Sequence, residues 1–177
     1  MLIEAISTPR LILIPLTMDQ LVMYLERETD FYCLVCPASR EILTHPLKRA
    51  IGMKLEKMAA ASAQDLPWLT YWLIKVPSDG FGAGMVGFKG APDERGEVEI
   101  GYGIDSAFRN QGYTTEACQG MIHWAFRDAR CNRILAPDTL RSNLASNRVL
   151  NKLGMRVYEE KADSLSWCLD KDQGSAA

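Results

Sequence analysis

The stretch Val98-Glu99-Ile100-Gly101-Tyr102-Gly103-Ile104 alternates apolar side chains with charged or absent ones, and that period of two commits it to a strand with one buried face. Shortly afterwards the period changes. Ala117, Met121, Ile122, Ala125 and Ala129 recur at helical spacing, so a strand must hand over to a helix through the segment Arg109-Asn110-Gln111-Gly112. Such a junction aims unpaired main-chain N–H groups at one point, and the helix dipole adds partial positive charge there. Gly112 lacks a Cβ, so the loop can take positive φ or admit an anion close to its backbone. On these residues alone an ordinary strand-to-helix turn serves as well as an anion cradle.

A second segment answers the first. Ala145, Val149, Leu150 and Leu153 line one side of a short helix, and Gly154 stands where a glycine would end it. Asn143, just before that helix, suits an N-cap that accepts from a free main-chain N–H.

Together, with Arg133-Ile134-Leu135-Ala136 between them as a strand, these segments resemble the GNAT superfamily of acetyl-CoA-dependent N-acetyltransferases, in its ribosomal-protein N-terminal acetyltransferase-like branch. The family's pyrophosphate loop, R/Q-x-x-G-x-G/A, is matched by Arg109 and Gly112, with Thr114 in place of the last small residue. Its helix pattern N-x-A-S-x-x-V-L-x-K-x-G is matched by Asn143, Ala145, Ser146, Val149, Leu150, Lys152 and Gly154, followed by Met155. Thr8-Pro9-Arg10-Leu11 and the residues to Leu16 look like the branch's first strand.

The resemblance implies an α/β (α+β) fold: one GNAT-like domain over residues 1–172 with a frayed tail at 173–177, and a mixed, mostly antiparallel twisted sheet of about seven strands flanked by about four helices. It implies an N-acetyltransferase that moves an acetyl group from acetyl-CoA to a primary amine, on a protein N-terminus or a small molecule, by direct transfer in a ternary complex. A non-catalytic acyl-CoA-binding or sensing domain is the alternative, and a structural dimerisation module a third reading. The coenzyme would rest on Arg109, Asn110, Gln111, Gly112, Tyr113 and Thr114, with main-chain groups of Tyr102, Gly103 and Ile104 beside the pantetheine arm. Asn143 would bond that arm, and Arg148 and Lys152 would favour the adenosine 3′-phosphate or simply form a solvated face.

An ammonium acceptor must lose a proton before it attacks. Glu99, through water, is the candidate base, with Glu97 as alternate. Many family members carry a tyrosine acid where this chain has Leu150, so Ser146 is the group suggested for the departing thiol. Gly101 and Gly103 mark either close approach of a ligand or a bulge. Phe31, Tyr32, Tyr158 and Trp167 form either an acceptor wall or core.

Composition narrows the rest. A formal charge of -2 argues against a broad nucleic-acid surface, which needs clustered cations. No apolar run is long enough for a membrane span, and the first residues lack the pattern of a secretory signal, so a cytoplasmic protein is expected. A homodimer is compatible with the family. Cys33 and Cys36 form a C-x-x-C with no partner pair, so free thiols and no metal are expected.

Along the chain, residues 10–16 read as a strand. A capping box of Thr17 and Gln20 opens a helix to about residue 28, residues 31–45 hold a short helix or loop, and Leu47 to Met58 form a helix with Lys54 as a polar intrusion. Trp68 to Val76 reads as a strand turning at Pro77-Ser78-Asp79-Gly80 into a partner at 83–89. Residues 156–160 and 164–169 read as closing strands.

Overall fold

The computed structural model describes residues 4–26, 31–33, 36–39 and 41–174. Among them ten strands join in one sheet, more than about seven expected: β1 (Ile6–Ser7), β2 (Ile12–Pro15), β3 (Phe31–Cys33), β4 (Cys36–Ala38), β5 (Trp72–Val76), β6 (Phe81–Phe88), β7 (Glu97–Ile104), β8 (Arg133–Leu140), β9 (Arg156–Glu160) and β10 (Ser164–Asp170). The helices are α1 (Met18–Glu26), α2 (His45–Ala59), α3 (Leu66–Leu69), α4 (Tyr113–Phe126), α5 (Leu144–Lys152) and α6 (Lys171–Gly174), with a 3-10 turn at Ser106–Phe108. The main path through the sheet runs β1-β2-β5-β6-β7-β8-β10-β9, and within it β7 and β8 alone run parallel.

The extra elements are short and have local causes. β3 and β4 form a small hairpin that reaches the sheet through Ala38 opposite Gly82, where the sequence allowed a helix or loop. Trp68 and Leu69, expected in a strand, lie in α3, because Pro67 sits in the first helical turn, where its missing N–H costs nothing. Trp68 there packs on Trp124 and Phe88 with ring centroids 4.6 and 5.1 Å away. α6 follows β10 as far as Gly174, and residues 175–177 of the expected frayed tail lie outside the described residues. Residues 27 and 28 of the expected first helix, and the side chains of Phe31, Tyr32 and Cys33, lie outside the described residues.

Several local expectations are met. Thr17 N–H donates to Gln20 Oε1 at 2.8 Å and Gln20 N–H to Thr17 Oγ1 at 3.2 Å, the reciprocal bonds of a capping box. Gly154 ends α5 with φ 76°.

The sheet separates two cores. Leu11, Trp72, Val86, Val98 and Ile100 pack with α4 and Leu150 on one face, and Leu21, Tyr24, Ile51, Met58 and Met85 pack on the other. Cys118 and Cys131 are buried free thiols in the first of these layers, Cys36 is buried in the second, and Cys168 is a buried free thiol on β10. No helix of the described residues is long and apolar enough to cross a membrane.

Lys54 is buried in the second layer. Its Nζ donates to Leu69 O at 2.8 Å, to Thr70 O at 3.4 Å and to Phe88 O, so α2 is tied to α3 and to the end of β6. Lys54→Ala is expected to cost about 3 kcal/mol in urea unfolding, because it removes a packed stem and strips three buried carbonyls of their donor. Burial, with the Lys57 charge second, pushes the Lys54 ammonium from 10.5 down to about 7. Between those values the unfolded chain binds more protons than the folded one, so stability rises with pH. The alanine variant should lack that rise.

Candidate functional site

β7 pairs with β6 along most of its length, from Gly84 opposite Ile104 to Phe88 opposite Ile100. With β8 it pairs only over Glu97–Glu99, opposite Arg133, Ile134 and Leu135. Beyond Glu99 and Leu135 the ladder stops, and a wedge opens in the middle of the sheet. Main-chain parity decides what lines it. Lys89 N–H donates to Glu99 O at 2.9 Å and Asp105 N–H to Ala83 O at 2.8 Å, so the odd-numbered residues of β7 direct their main chain at β6. By the alternation of an antiparallel ladder, Tyr102 and Ile104 direct theirs at the wedge. Gly103, expected to share that role, has its main chain turned toward β6.

The β6 ladder runs past Gly101 and Gly103 without a register shift, so neither marks a bulge. A Cβ on Gly101 would meet nothing within 4 Å, and one on Gly103 would meet Ile42 at 3.7 Å. These glycines clear the face that carries Glu99, opposite the buried face of Val98 and Ile100. Glu99 is partly buried there and ion-paired with Lys89. Glu97 is drawn away, 3.2 Å from Arg133 Nη1. A strap covers the far end: Glu41 accepts from Ser106 N–H at 3.0 Å and from its hydroxyl at 2.8 Å, and Ser39 donates to Asp105.

From Asp105, which caps the 3-10 turn through Ala107 N–H at 2.8 Å, the chain enters the glycine loop. Asn110 and Gly112 both take the left-handed region, at φ 61° and 81°, and this alternation turns successive N–H groups to one side. Asn110 tolerates the conformation as few other side-chain-bearing residues do. The main-chain N–H groups of residues 111–114 meet no acceptor among the described residues, the state of an uncapped helix start. Arg109 is exposed, 3.7 Å from Glu41 Oε1. Tyr113 turns its ring to Phe108 and beneath the Arg10 guanidinium, 6.4 and 4.8 Å away between centres, so its main chain alone faces the loop's mouth. Thr114 is partly buried in the first turn of α4.

The turn between β1 and β2 reaches this loop from below. Arg10 Nε donates to Glu116 Oε2 at 2.7 Å and its Nη1 to Gln111 O at 3.0 Å. Thr8 Oγ1 and Arg10 N–H both donate to Glu116 Oε1 at 2.7 Å. Burial pushes the Glu116 carboxyl up, but these bonds and the Arg10 charge outweigh it and hold the group below the usual carboxylate range. The strand expected over residues 10–16 begins only at Ile12, which leaves Arg10 in the preceding turn, and no sequence pattern singles out Glu116. The two lie 106 positions apart, and only their opposite charges could have hinted at a pairing.

α5 closes the wedge from the other side. Asn143 Oδ1 accepts from Ser146 N–H at 3.1 Å, so Asn143 is the helix cap. Its amide nitrogen has no partner among the described residues, whereas the Ser146 hydroxyl hydrogen-bonds the Tyr102 phenol. Ser146 O accepts from the Tyr102 hydroxyl at 3.4 Å, a bridge from β7 to α5 that main-chain reasoning about Tyr102 overlooked. Burial pushes that phenol up, so it stays a donor. Trp167 Nε1 donates to Asn147 Oδ1 at 3.1 Å and fixes the helix to β10. Leu150 is buried, whereas Arg148 and Lys152 are exposed on the outer face. Of the aromatic residues proposed for an acceptor wall, Trp167 is core and Tyr158 is exposed. No cluster of His, Cys, Asp or Glu among the described residues could hold a metal.

Known proteins resemble this chain in sequence and in fold. Residues 10–156 match the family model described as an acetyltransferase (GNAT) domain. An uncharacterized N-acetyltransferase, YjdG of Bacillus subtilis (strain 168), is 37% identical over 97 residues, which is 54% of this chain and 56% of that protein. The chain thus spans about half the length of this curated relative. Among solved structures, the ribosomal-protein-S5-alanine acetyltransferase from Vibrio fischeri superposes with a TM-score of 0.65 at 15% identity, covering 96% of this chain and 98% of that one. RimL, a ribosomal L7/L12 alpha-N-protein acetyltransferase solved in complex with coenzyme A, gives 0.61 at 15% identity over 94% and 98%. At such identities the likeness is one of fold.

Proposed function

Since this chain belongs to the acetyltransferase (GNAT) domain family, we propose that it is an N-acetyltransferase transferring acetyl from acetyl-CoA to a primary amine, directly, in a ternary complex. The wedge is the observation that carries this reading: a parallel pair that stops at Glu99 and Leu135, beside a helix start whose N–H groups lack acceptors. Both are unsatisfied main-chain surfaces, and an anion on an extended polar arm fits them together. Residues 111–114 take the pyrophosphate, with Arg109 and Asn110 at its rim. Tyr102 and Ile104 pair with the pantetheine arm as with an added strand, and Asn143 contributes its amide nitrogen. Arg148 and Lys152 stand toward the 3′-phosphate.

The wedge-facing N–H groups of β7 are the donors for the carbonyl oxygen as charge develops on it, the usual source of large rate effects. The amine enters on the open face above Gly101 and Gly103, where Glu99 takes its proton through water. The Ser146 hydroxyl protonates or bonds the departing thiolate. The acceptor is a protein N-terminus or a small amine, and residues 1–172 act as one domain. Cytoplasmic location and homodimerisation belong to the same reading, and the chemistry needs neither.

The experiment is a panel of amines and N-terminal peptides incubated with acetyl-CoA, read as free coenzyme A thiol and as acetylated product. Turnover of at least one acceptor at steady state is the expected result. Tight acetyl-CoA binding without turnover across the panel would instead make the chain a binding or sensing domain.

A further inference from the structure

We propose that Arg10 is a positioning residue for the coenzyme loop, holding the Gln111-Gly112 peptide so that the Gly112 N–H faces the bound pyrophosphate. The proposal rests on the assignment of residues 111–114 as the pyrophosphate site. A trans peptide points its C=O and its N–H in opposite directions. Arg10 Nη1 draws Gln111 O down toward the turn between β1 and β2 at 3.0 Å, so the Gly112 N–H on the same peptide is turned out to the mouth of the loop.

Arg10 is itself fixed on three sides. Its Nε is held by Glu116 Oε2 at 2.7 Å, its main-chain N–H by Glu116 Oε1 at 2.7 Å, and its guanidinium lies 4.8 Å above the Tyr113 ring. Thr8 occupies Glu116 Oε1 as well, which leaves the carboxylate with one geometry. A Cβ on Gly112 would come within 3.2 Å of Arg10 Nη2, so the guanidinium lies directly under the loop. Only a fork can reach Glu116 and Gln111 together. Lysine has the charge and lacks the second arm.

The glutamate in this latch lies in the first turn of α4, where its charge alone would repel a bound phosphate. Arg10 therefore has two separable effects, orienting a peptide and neutralising Glu116. The proposal commits to the first.

The test uses the full chain with wild type, Arg10→Met, Arg10→Lys and the double variant Arg10→Met/Glu116→Gln. Calorimetry gives the Kd for coenzyme A, steady-state kinetics splits KM for acetyl-CoA from kcat, and the order parameter of the Gly112 amide is followed by nitrogen relaxation without ligand. Arg10→Met should raise Kd about 30-fold, the scale of one lost charge-assisted hydrogen bond, and raise KM for acetyl-CoA with kcat within about threefold of wild type. Arg10→Lys should lose nearly as much while keeping its melting temperature, and the Gly112 amide order parameter should fall in both. The double variant should stay weak.

Wild-type affinity in Arg10→Met or Arg10→Lys overturns the proposal. So does wild-type affinity in the double variant, which would leave charge neutralisation as the whole effect. If wild type itself binds no coenzyme A, the assignment of the loop fails, and the Gly112 amide order parameter still reports whether Arg10 holds that peptide.

Discussion

Gly112→Glu is expected to raise the dissociation constant for coenzyme A by more than 100-fold while leaving a folded protein. Two effects add. A side chain at φ 81° is held in the left-handed region at a cost of about 1–2 kcal/mol, and its Cβ presses on Arg10 Nη2 at 3.2 Å. The added carboxylate then faces the pyrophosphate. At about 5 Å and an effective dielectric constant of about 20, two unit charges repel by about 3 kcal/mol, which by itself exceeds 100-fold in Kd. Gly112→Ala separates the two effects, because it adds the strain without the charge and should weaken binding by about 10-fold. Calorimetric titration with coenzyme A reads both, and circular dichroism reports the fold. Unchanged affinity in the glutamate variant would remove the loop from the binding site altogether.

What could be read from residues alone was whatever depends on neighbours in sequence. The Thr17–Gln20 capping box, the Asn143 cap and the left-handed Gly154 were legible because each satisfies helix-end groups within three or four positions. The alternation at 98–104 likewise placed Glu99, Gly101 and Gly103 on one face. What alternation does not tell is which edge of the strand a given N–H serves. That depends on the pairing partner, and so Gly103 was grouped with Tyr102 and Ile104 although its main chain faces β6.

The wedge was invisible for the same reason. Nothing in Ala136-Pro137-Asp138 says that β8 will leave β7 after Leu135, although Pro137 supplies no N–H and Asp138 takes φ 49°. The hairpin of β3 and β4 is too short for periodicity to register. The Arg10–Glu116 latch joins the first residue of the matched region to its interior and leaves no local trace at either residue. Resemblance thus suggests the two halves of the candidate site, while the latch and the strap between its elements belong to tertiary contacts.

Glu99→Gln should lower kcat by about 100-fold or more, the range in which a positioned base contributes, with the Kd for acetyl-CoA unchanged. The carboxylate stands on the cleared face of β7, beside two glycines that leave room for an amine and a bridging water. Its partner Lys89 is mostly exposed, with 68% of its side chain accessible, so the ion pair is a surface contact of small worth that an approaching ammonium can displace. Glu97 has no such freedom. It lies over the paired part of the β7–β8 ladder and is held by Arg133, whose guanidinium also binds Asp170 at 2.5 Å. Glu99→Asp keeps the charge and withdraws it by one methylene, and it should fall between wild type and the glutamine variant, because proton transfer through water tolerates a longer path better than a missing base. Single-turnover rates with a saturating acceptor measure the chemical step apart from product release. A glutamine variant that turns over within about threefold of wild type would assign deprotonation to solvent, and the cleared face would then act only as the entry path for the amine.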